Sequence, residues 1–357
     1  MSTELDQIFA ELNSCYYLGK QRILFTLFNE KIEQAANNFF KVGQSPAEHD
    51  SFFGRFTPIW FDLIQKRRYF EAVSMWNPPL LFAYKWEENN EPHRIHKGTP
   101  YYFLGVTAIL NNELENGFLL MHQALEEDKR ITKTIPQSPA YFFVTLDYKQ
   151  QNQFFRQKVE EISNYLALRI GAYGTSRNGA LTLDQFKTKF LESQDLTEEV
   201  FLFVFTLFEI HKMLFATDER LKKNVFSSLI HARILSNLCL ILDKAIEHKN
   251  PKKGTTRLYI SDEIKLLSTK ATSSIDEDAI GRINASFGKD FAQTLTEILT
   301  STYQLPLSDI ERDLAIAYGI RNFGAHRIED QPVLYSNFAE LSQRLMNTLF
   351  FAVEKLY

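Results

Sequence analysis

The sequence predicts an all-α protein, and three observations carry that expectation. Its 357 residues hold only 14 Gly and 11 Pro, about 7 % against roughly 12 % in average usage, and few chain breakers favour long helices. Apolar residues recur at i, i+3 and i+4 along several segments, the pattern of helices with one buried face. Three of the prolines stand in matching contexts, Thr57-Pro58, Thr99-Pro100 and Ser138-Pro139, spaced by roughly forty residues. The length exceeds one ordinary domain, so two are expected. A composition of 45 % hydrophobic and 24 % charged residues is that of a globular chain, and 31 Phe with 15 Tyr supply large buried area.

The elements follow in chain order. Glu4 to Phe40 reads as one or two capping helices. From Thr57 to Ile170 each proline motif reads as a helix start: Ser or Thr caps the free amides and Pro occupies N1, where its missing N–H costs nothing. The aromatic residues that follow then pack inward. A period near forty fits helical hairpins that bury their apolar faces on one another. The middle unit is the clearest. Tyr101, Leu104, Gly105 and Ala108, then Gly117, Met121 and Ala124, resemble the tetratricopeptide pattern of aromatic, Leu-Gly and small residues. Gly171 to Gly179, with three glycines, is the expected domain boundary, giving 1–178 as a helical-repeat recognition or regulatory domain and 179–357 as a second helical domain. In the second domain helices are expected from Thr197 to Ala216, Val225 to Glu247, Ser261 to Lys270 and Asp276 to Tyr303. Ser308 caps another through about Phe323. A last one, from near Leu334, carries Phe338, Leu341, Leu345, Leu349, Val353 and Leu356 on one stripe.

Charge and cysteine content exclude several classes. A formal charge of −4 rules out a uniformly basic nucleic-acid-coating protein but leaves room for a local basic site. Cys15 and Cys239 are too few and too far apart for a disulfide framework or a zinc site, and they fit a reducing cytoplasm. The acidic N-terminal stretch does not read as a signal peptide. The most apolar run, Val200 to Phe208, is far shorter than the roughly 20 residues of a membrane span.

The sharpest local feature is Arg321-Asn322-Phe323-Gly324-Ala325-His326, at the end of an amphipathic helix and just before the terminal one. It resembles the signature of the HEPN superfamily, R-x4–6-H with Asn directly after the Arg. That superfamily comprises small helical domains of prokaryotic toxins, abortive-infection proteins and CRISPR-associated nucleases. The resemblance covers roughly the last 160 residues and is specific at this hexapeptide. It implies a HEPN-like up-down helical bundle, a homodimer in which two motifs face one composite cleft, and metal-independent RNA cleavage in a bacterial defence or toxin role. Arg321, His326 and Asn322 are then the catalytic set. Some family toxins add a Tyr two residues after the His; here that position is Ile328.

The residue chemistry stands beside that resemblance. Five helical steps turn about 140° past one full turn, so Arg321 and His326 do not share a face of a straight helix. Gly324 can bend or end the helix between them. Arg presents a planar fork of donors to a phosphate, and His moves protons near neutrality. In RNA the 2′-hydroxyl is already in place, so a protein need only transfer protons and stabilise charge, with neither metal nor cofactor. The competing reading pairs Arg321 with Glu311 or Asp313 on the preceding helix and makes His326 a helix cap, leaving a non-catalytic scaffold or RNA-binding dimerisation protein.

A second feature is Lys249 to Lys270, basic in an acidic chain, where Lys252, Lys253 and Arg257 can guide RNA and Tyr259 can stack on a base. The competing and simpler reading is a solvated loop that merely keeps the protein soluble. His93-Arg94-Ile95-His96 has H-x2-H spacing without a third ligand and reads as a polar loop between repeats. His122 reads as packing, His211 and His231 as helix positions able to line a cleft, and Cys239 as core. No Gly-rich phosphate loop and no G-x-S-x-G motif occurs. The expected partners are an RNA substrate, a second copy of the chain through 179–357, and an unassigned protein or ligand for the repeats, with no membrane.

Overall fold

The computed structural model describes residues 3–17, 23–132, 137–215, 225–250, 260–270, 275–324 and 331–357. All regular structure among the described residues is helical, with no strand, in keeping with the breaker-poor sequence. They form two compact units, one of residues 1–143 and 147–159, the other of residues 144–146 and 160–357.

The first unit opens with α1 (Thr3–Tyr17) and α2 (Ile23–Phe39), packed on each other as the two capping helices expected. Five short to medium helices follow: α3 (Pro46–Gly54), α4 (Thr57–Gln65), α5 (Tyr69–Ser74), α6 (Asn77–Asn89) and α7 (Gly98–Leu110). Then come α8 (Leu114–Thr132) and α9 (Pro139–Val144). The core is aromatic. Phe52, Phe53, Phe56, Trp60 and Trp76 are fully buried. Phe56 meets Trp76 edge-on at 5.9 Å and Trp76 stacks on Phe103 at 5.7 Å. The buried Trp60 Nε1 donates to Thr107 Oγ1 at 2.9 Å, so its one polar atom is satisfied inside the core.

The hairpin of α7 and α8 matches the middle unit read from sequence. A Cβ on Gly117 would lie 2.5 Å from the Ile109 side chain and 3.1 Å from the Gly105 carbonyl. Only glycines allow the two backbones to approach this closely. The capping expectation is corrected at two of the three prolines. The N-caps of α4 and α7 are Phe56 and Lys97, without side-chain caps. Thr57 donates instead to the Gly54 carbonyl and Thr99 to Asp50. The chain enters α4 already coiled, since Phe56 has helical φ and ψ, so Thr57 falls inside the helix rather than at its edge. At Ser138 the expected bond is present, with Tyr141 N–H donating to Ser138 Oγ at 3.4 Å.

The glycine-rich segment differs from expectation. Helix α10 (Gln153–Arg177) runs through Gly171 and Gly174 without a break, and the two units part within it, between residues 159 and 160, rather than at 178. Each Gly costs a helix about 1 kcal/mol against Ala. Tertiary anchors outweigh that: Tyr173 donates to Glu354 at 2.9 Å, and Arg177 binds Asp313 in bidentate fashion at 2.7 and 3.0 Å.

The second unit continues with α11 (Leu183–Phe186), α12 (Thr197–Leu214), α13 (Val225–His248) and α14 (Ile260–Lys270). The expected Asp276–Tyr303 helix is two, α15 (Glu277–Lys289) and α16 (Phe291–Leu299), because Asp290 leaves the helix and caps the second through Gln293 N–H at 2.9 Å. Next come α17 (Asp309–Gly319), α18 (Gln331–Ser336) and α19 (Phe338–Leu356). Helix α13 packs on α12, α18 and α19, and α17 packs on α19. Leu235, Leu238, Leu242, Leu314, Tyr318, Leu345 and Leu349 fill the space between them. No helix among the described residues is long and apolar enough to cross a membrane.

Candidate functional site

Helix α17 delivers the Arg–Asn motif. Ser308 and Glu311 form a reciprocal capping box at its start. At its end Gly319 lies against Phe287 of α15 so closely that a Cβ would sit 2.5 Å from the ring. The next five residues, Ile320–Gly324, form a π-helical turn. Such a turn widens the helix by one residue per turn and is frequent at functional sites. It changes the angular relation that a straight helix would impose among Arg321, Asn322 and Phe323.

Arg321 is gripped from two other helices. Its Nε lies 2.6 Å from Asp243 Oδ2 on α13, and its Nη1 donates to Glu263 Oε2 on α14 at 3.4 Å. Tyr318, fully buried one turn earlier, donates its hydroxyl to the same Glu263 oxygen at 3.0 Å. The Glu263 side chain is 2 % exposed and that of Asp243 11 %, whereas Arg321 keeps 27 %. The guanidinium therefore stands at the mouth of a buried acidic well, and no described residue claims its Nη2. Asn322 donates to Asn284 Oδ1 at 3.1 Å, which fixes the turn to α15.

Burial raises both carboxyls. Asp243 is pushed to about 6, against the pull of Arg321. Glu263 rises to about 8, through burial first and then the neighbouring Asp243 charge. Burial, and for Glu263 the Asp243 charge, hold back ionisation of the pair, so near neutrality the two carboxyls retain a proton between them and present about one negative charge to Arg321. Burial, and then Glu263, push the Tyr318 hydroxyl well above its ordinary range, so it stays a donor.

The carboxylates that the competing reading offered to Arg321 are engaged elsewhere. Glu311 accepts the Ser308 hydroxyl and amide and the Asp276 amide, each at 2.7 Å. Asp313, fully buried, is bound by Arg177, Arg344 and Asn347. The sequence reading missed Asp243, Glu263, Tyr318 and Asn284. One signal was available: Asp243 interrupts the apolar face Leu238, Cys239, Leu242, Ala245, Ile246, and a charge on a core face demands a buried partner.

His326 lies outside the described residues, as do Lys252, Lys253, Arg257 and Tyr259. Of the expected site, Arg321 and Asn322 are placed. Cys239 is core, as read, with its thiol donating to the Ala317 carbonyl at 3.3 Å. His211 packs on Tyr165 and Phe215, and His231 on Tyr335 and Phe338.

The His93–His96 segment departs from the polar loop expected. His96 is 5 % exposed. Its two ring nitrogens lie 2.9 Å from Asp50 and 2.9 Å from Asp128. Burial would lower its pKa, but the bonds to Asp128 and Asp50 lift it to about 9. The neighbouring Lys97 is buried against Glu87. This is an ionic clamp between α3 and α8. No group of residues able to hold a metal occurs among the described residues. No family profile, curated protein or solved structure matches this chain.

Proposed function

We propose that the protein is a metal-independent endoribonuclease of HEPN type, acting in bacterial defence or as a toxin. The observation that supports this most is the setting of Arg321. A partly exposed guanidinium is locked in orientation by Asp243 and Glu263, with Nη2 unclaimed by the described residues. Preorganised donors of this kind stabilise charge that develops on a phosphoryl group. In the proposed step the RNA 2′-oxygen attacks the adjacent phosphorus and the bond to the 5′-oxygen breaks. The 2′-hydroxyl proton leaves to a base and the 5′-oxygen gains one. His326 carries the proton transfer, and Arg321 holds the non-bridging oxygens. The products are a 2′,3′-cyclic phosphate and a 5′-hydroxyl. Two copies of residues 160–357 meet as a two-fold dimer, the default symmetry for such contacts.

The test is cleavage of single-stranded RNA by the full chain in EDTA, with product ends identified. His326→Ala should cost roughly 10²–10⁴ in rate and Arg321→Ala about 10² or more. Strict dependence on a divalent metal, or undiminished activity in both folded variants, would remove the assignment. The close pairing of Arg321 with Asp243 favours one second reading, a non-catalytic RNA-binding or scaffold dimer. That reading gains if RNA is bound but never cut and Arg321→Ala lowers only stability.

A further inference from the structure

The first unit contains a cleft that the nuclease reading does not use. Helix α4 ends in Leu63, Ile64 and Gln65, with Lys66 as its C-cap. Arg67 N–H then bonds the Ile64 carbonyl, and Arg68 N–H the Leu63 carbonyl, both at 2.9 Å. This is the double bond of a Schellman C-cap, in which glycine normally takes the left-handed position. Arg67 occupies it with φ +56°. A neighbouring helix, α7, ends the same way: Asn112, at φ +63°, and Glu113 bond back to the Ile109 and Ala108 carbonyls. Between the two turns lies a cavity of about 520 Å³ lined by Arg67, Tyr69, Phe70, Asn111 and Glu113, with Thr107 among its walls.

Three features mark its rim. Phe70 is 80 % exposed, more than any other large apolar side chain among the described residues. Arg67 adopts a conformation that disfavours side chains by about 1–2 kcal/mol, where Gly would sit without strain. Within the run Lys66-Arg67-Arg68, Lys66 is neutralised by Asp62 at 2.6 Å and Arg68 by Glu71 at 2.9 Å. Arg67 alone is exposed with no ion pair or side-chain hydrogen bond among the described residues. One uncommitted guanidinium thus stands beside an exposed aromatic face. Across the cleft Asn111 gives one amide hydrogen to Glu113 at 2.5 Å, and its other amide hydrogen and carbonyl oxygen suit a planar polar edge.

We propose that this cleft binds a phosphorylated nucleobase, either as a free nucleotide or as one unit of an RNA strand. The base stacks on Phe70, its edge meets Asn111, and its phosphate is held by Arg67. Stacking on an aromatic side chain tolerates any base, and a fork of guanidinium donors fits a phosphate. The site lies wholly within the first unit and is read out separately from cleavage at Arg321.

The experiment titrates the full chain with two fluorescent probes in EDTA. One is 2-aminopurine riboside 5′-monophosphate; the other is a 2′-O-methyl octamer carrying one 2-aminopurine, which lacks the attacking hydroxyl. Stacking should quench the probe. Phe70→Ala should weaken binding about tenfold or more. Arg67→Gly should weaken it severalfold while leaving the melting temperature unchanged or raised, an outcome that a merely structural Arg67 does not give. Quenching of the monophosphate assigns a free nucleotide. Quenching of the octamer alone assigns a strand unit, provided both variants weaken it. The proposal is overturned if neither probe is quenched, if both variants bind like the parent, or if the cleft takes an aromatic peptide and no nucleotide. Failure here leaves cleavage untouched, and loss of cleavage in Arg321→Ala leaves this binding untouched.

Discussion

At the scale of single residues, titration separates the two buried ionic clusters. His96 has a folded pKa raised to about 9 by Asp128 and Asp50 against the cost of burial. A raised histidine contributes stability that is complete below its unfolded value, near 6.5, and is lost as pH rises through 9. His96→Gln should therefore destabilise the chain by about 1.5–3 kcal/mol at pH 6, at the lower end because Asp50 remains 42 % exposed, and by less at pH 9.5. Urea unfolding at the two pH values checks this, and an equal loss at both would contradict the ionic clamp. Glu263 obeys the same sign for a different reason. Burial raises its folded pKa to about 8, so the folded state binds the extra proton, and stability falls as pH climbs from the unfolded value, near 4.5, through 8. Glu263→Gln carries no such proton. Relative to the parent it should gain stability between pH 5 and pH 8.5 in the same measurement. A constant difference would show that Glu263 is ionised in the fold. Both residues stood in the sequence as ordinary polar positions, since their partners come from distant segments; Glu263 lies 58 residues from Arg321.

At the scale of elements, the helices follow from local rules and their meeting points from close packing. Helix α17 begins where Ser308 and Glu311 can reach each other, and the stripe on α19 is buried from Phe338 to Val353 as its period requires. The hairpin of α7 and α8 was legible from its small residues because a missing Cβ is a visible sequence signal. Gly117→Ala would press a methyl group to 2.5 Å from Ile109 and 3.1 Å from the Gly105 carbonyl. The side chain can turn away but the carbonyl cannot, so a loss of about 1–3 kcal/mol is expected. Thermal unfolding of that variant reads it. No change in melting temperature would mean that the helices are free to separate. The continuous α10 was not legible, because two glycines in a helix look like a boundary until Tyr173 and Arg177 find Glu354 and Asp313.

At the scale of the whole molecule, the division of the chain decides which fragment stands alone. A fragment starting at Gly179, the boundary that composition suggests, removes Arg177 from the buried Asp313 and leaves that carboxylate, among the described residues, to Arg344 and Asn347. Starting at Glu160 keeps the bidentate pair. The longer fragment should be more stable by at least the worth of one charged hydrogen bond, about 1.5–3 kcal/mol. Denaturant titration of both fragments measures the difference, and equal midpoints would place Asp313 outside the stabilising core. On the proposed function, the longer fragment should also be the one that is dimeric in light scattering and cuts RNA.

The sequence by itself determined that the chain is helical, where several helices of the second unit start and stop, which faces turn inward, and that Arg321 and Asn322 sit at a helix end before a terminal helix. These are local properties, written in periods of 3.6 residues, caps and small-residue spacings. Only the tertiary structure decided that Arg321 answers to Asp243 and Glu263 rather than to Glu311 or Asp313. It alone made His96 a buried clamp, and it alone set Arg67 and Phe70 at the mouth of a shared cleft. A buried charge takes its partner from whichever helix packs against it, and that choice is made by the fold of the entire unit, at sequence distances no local pattern reaches.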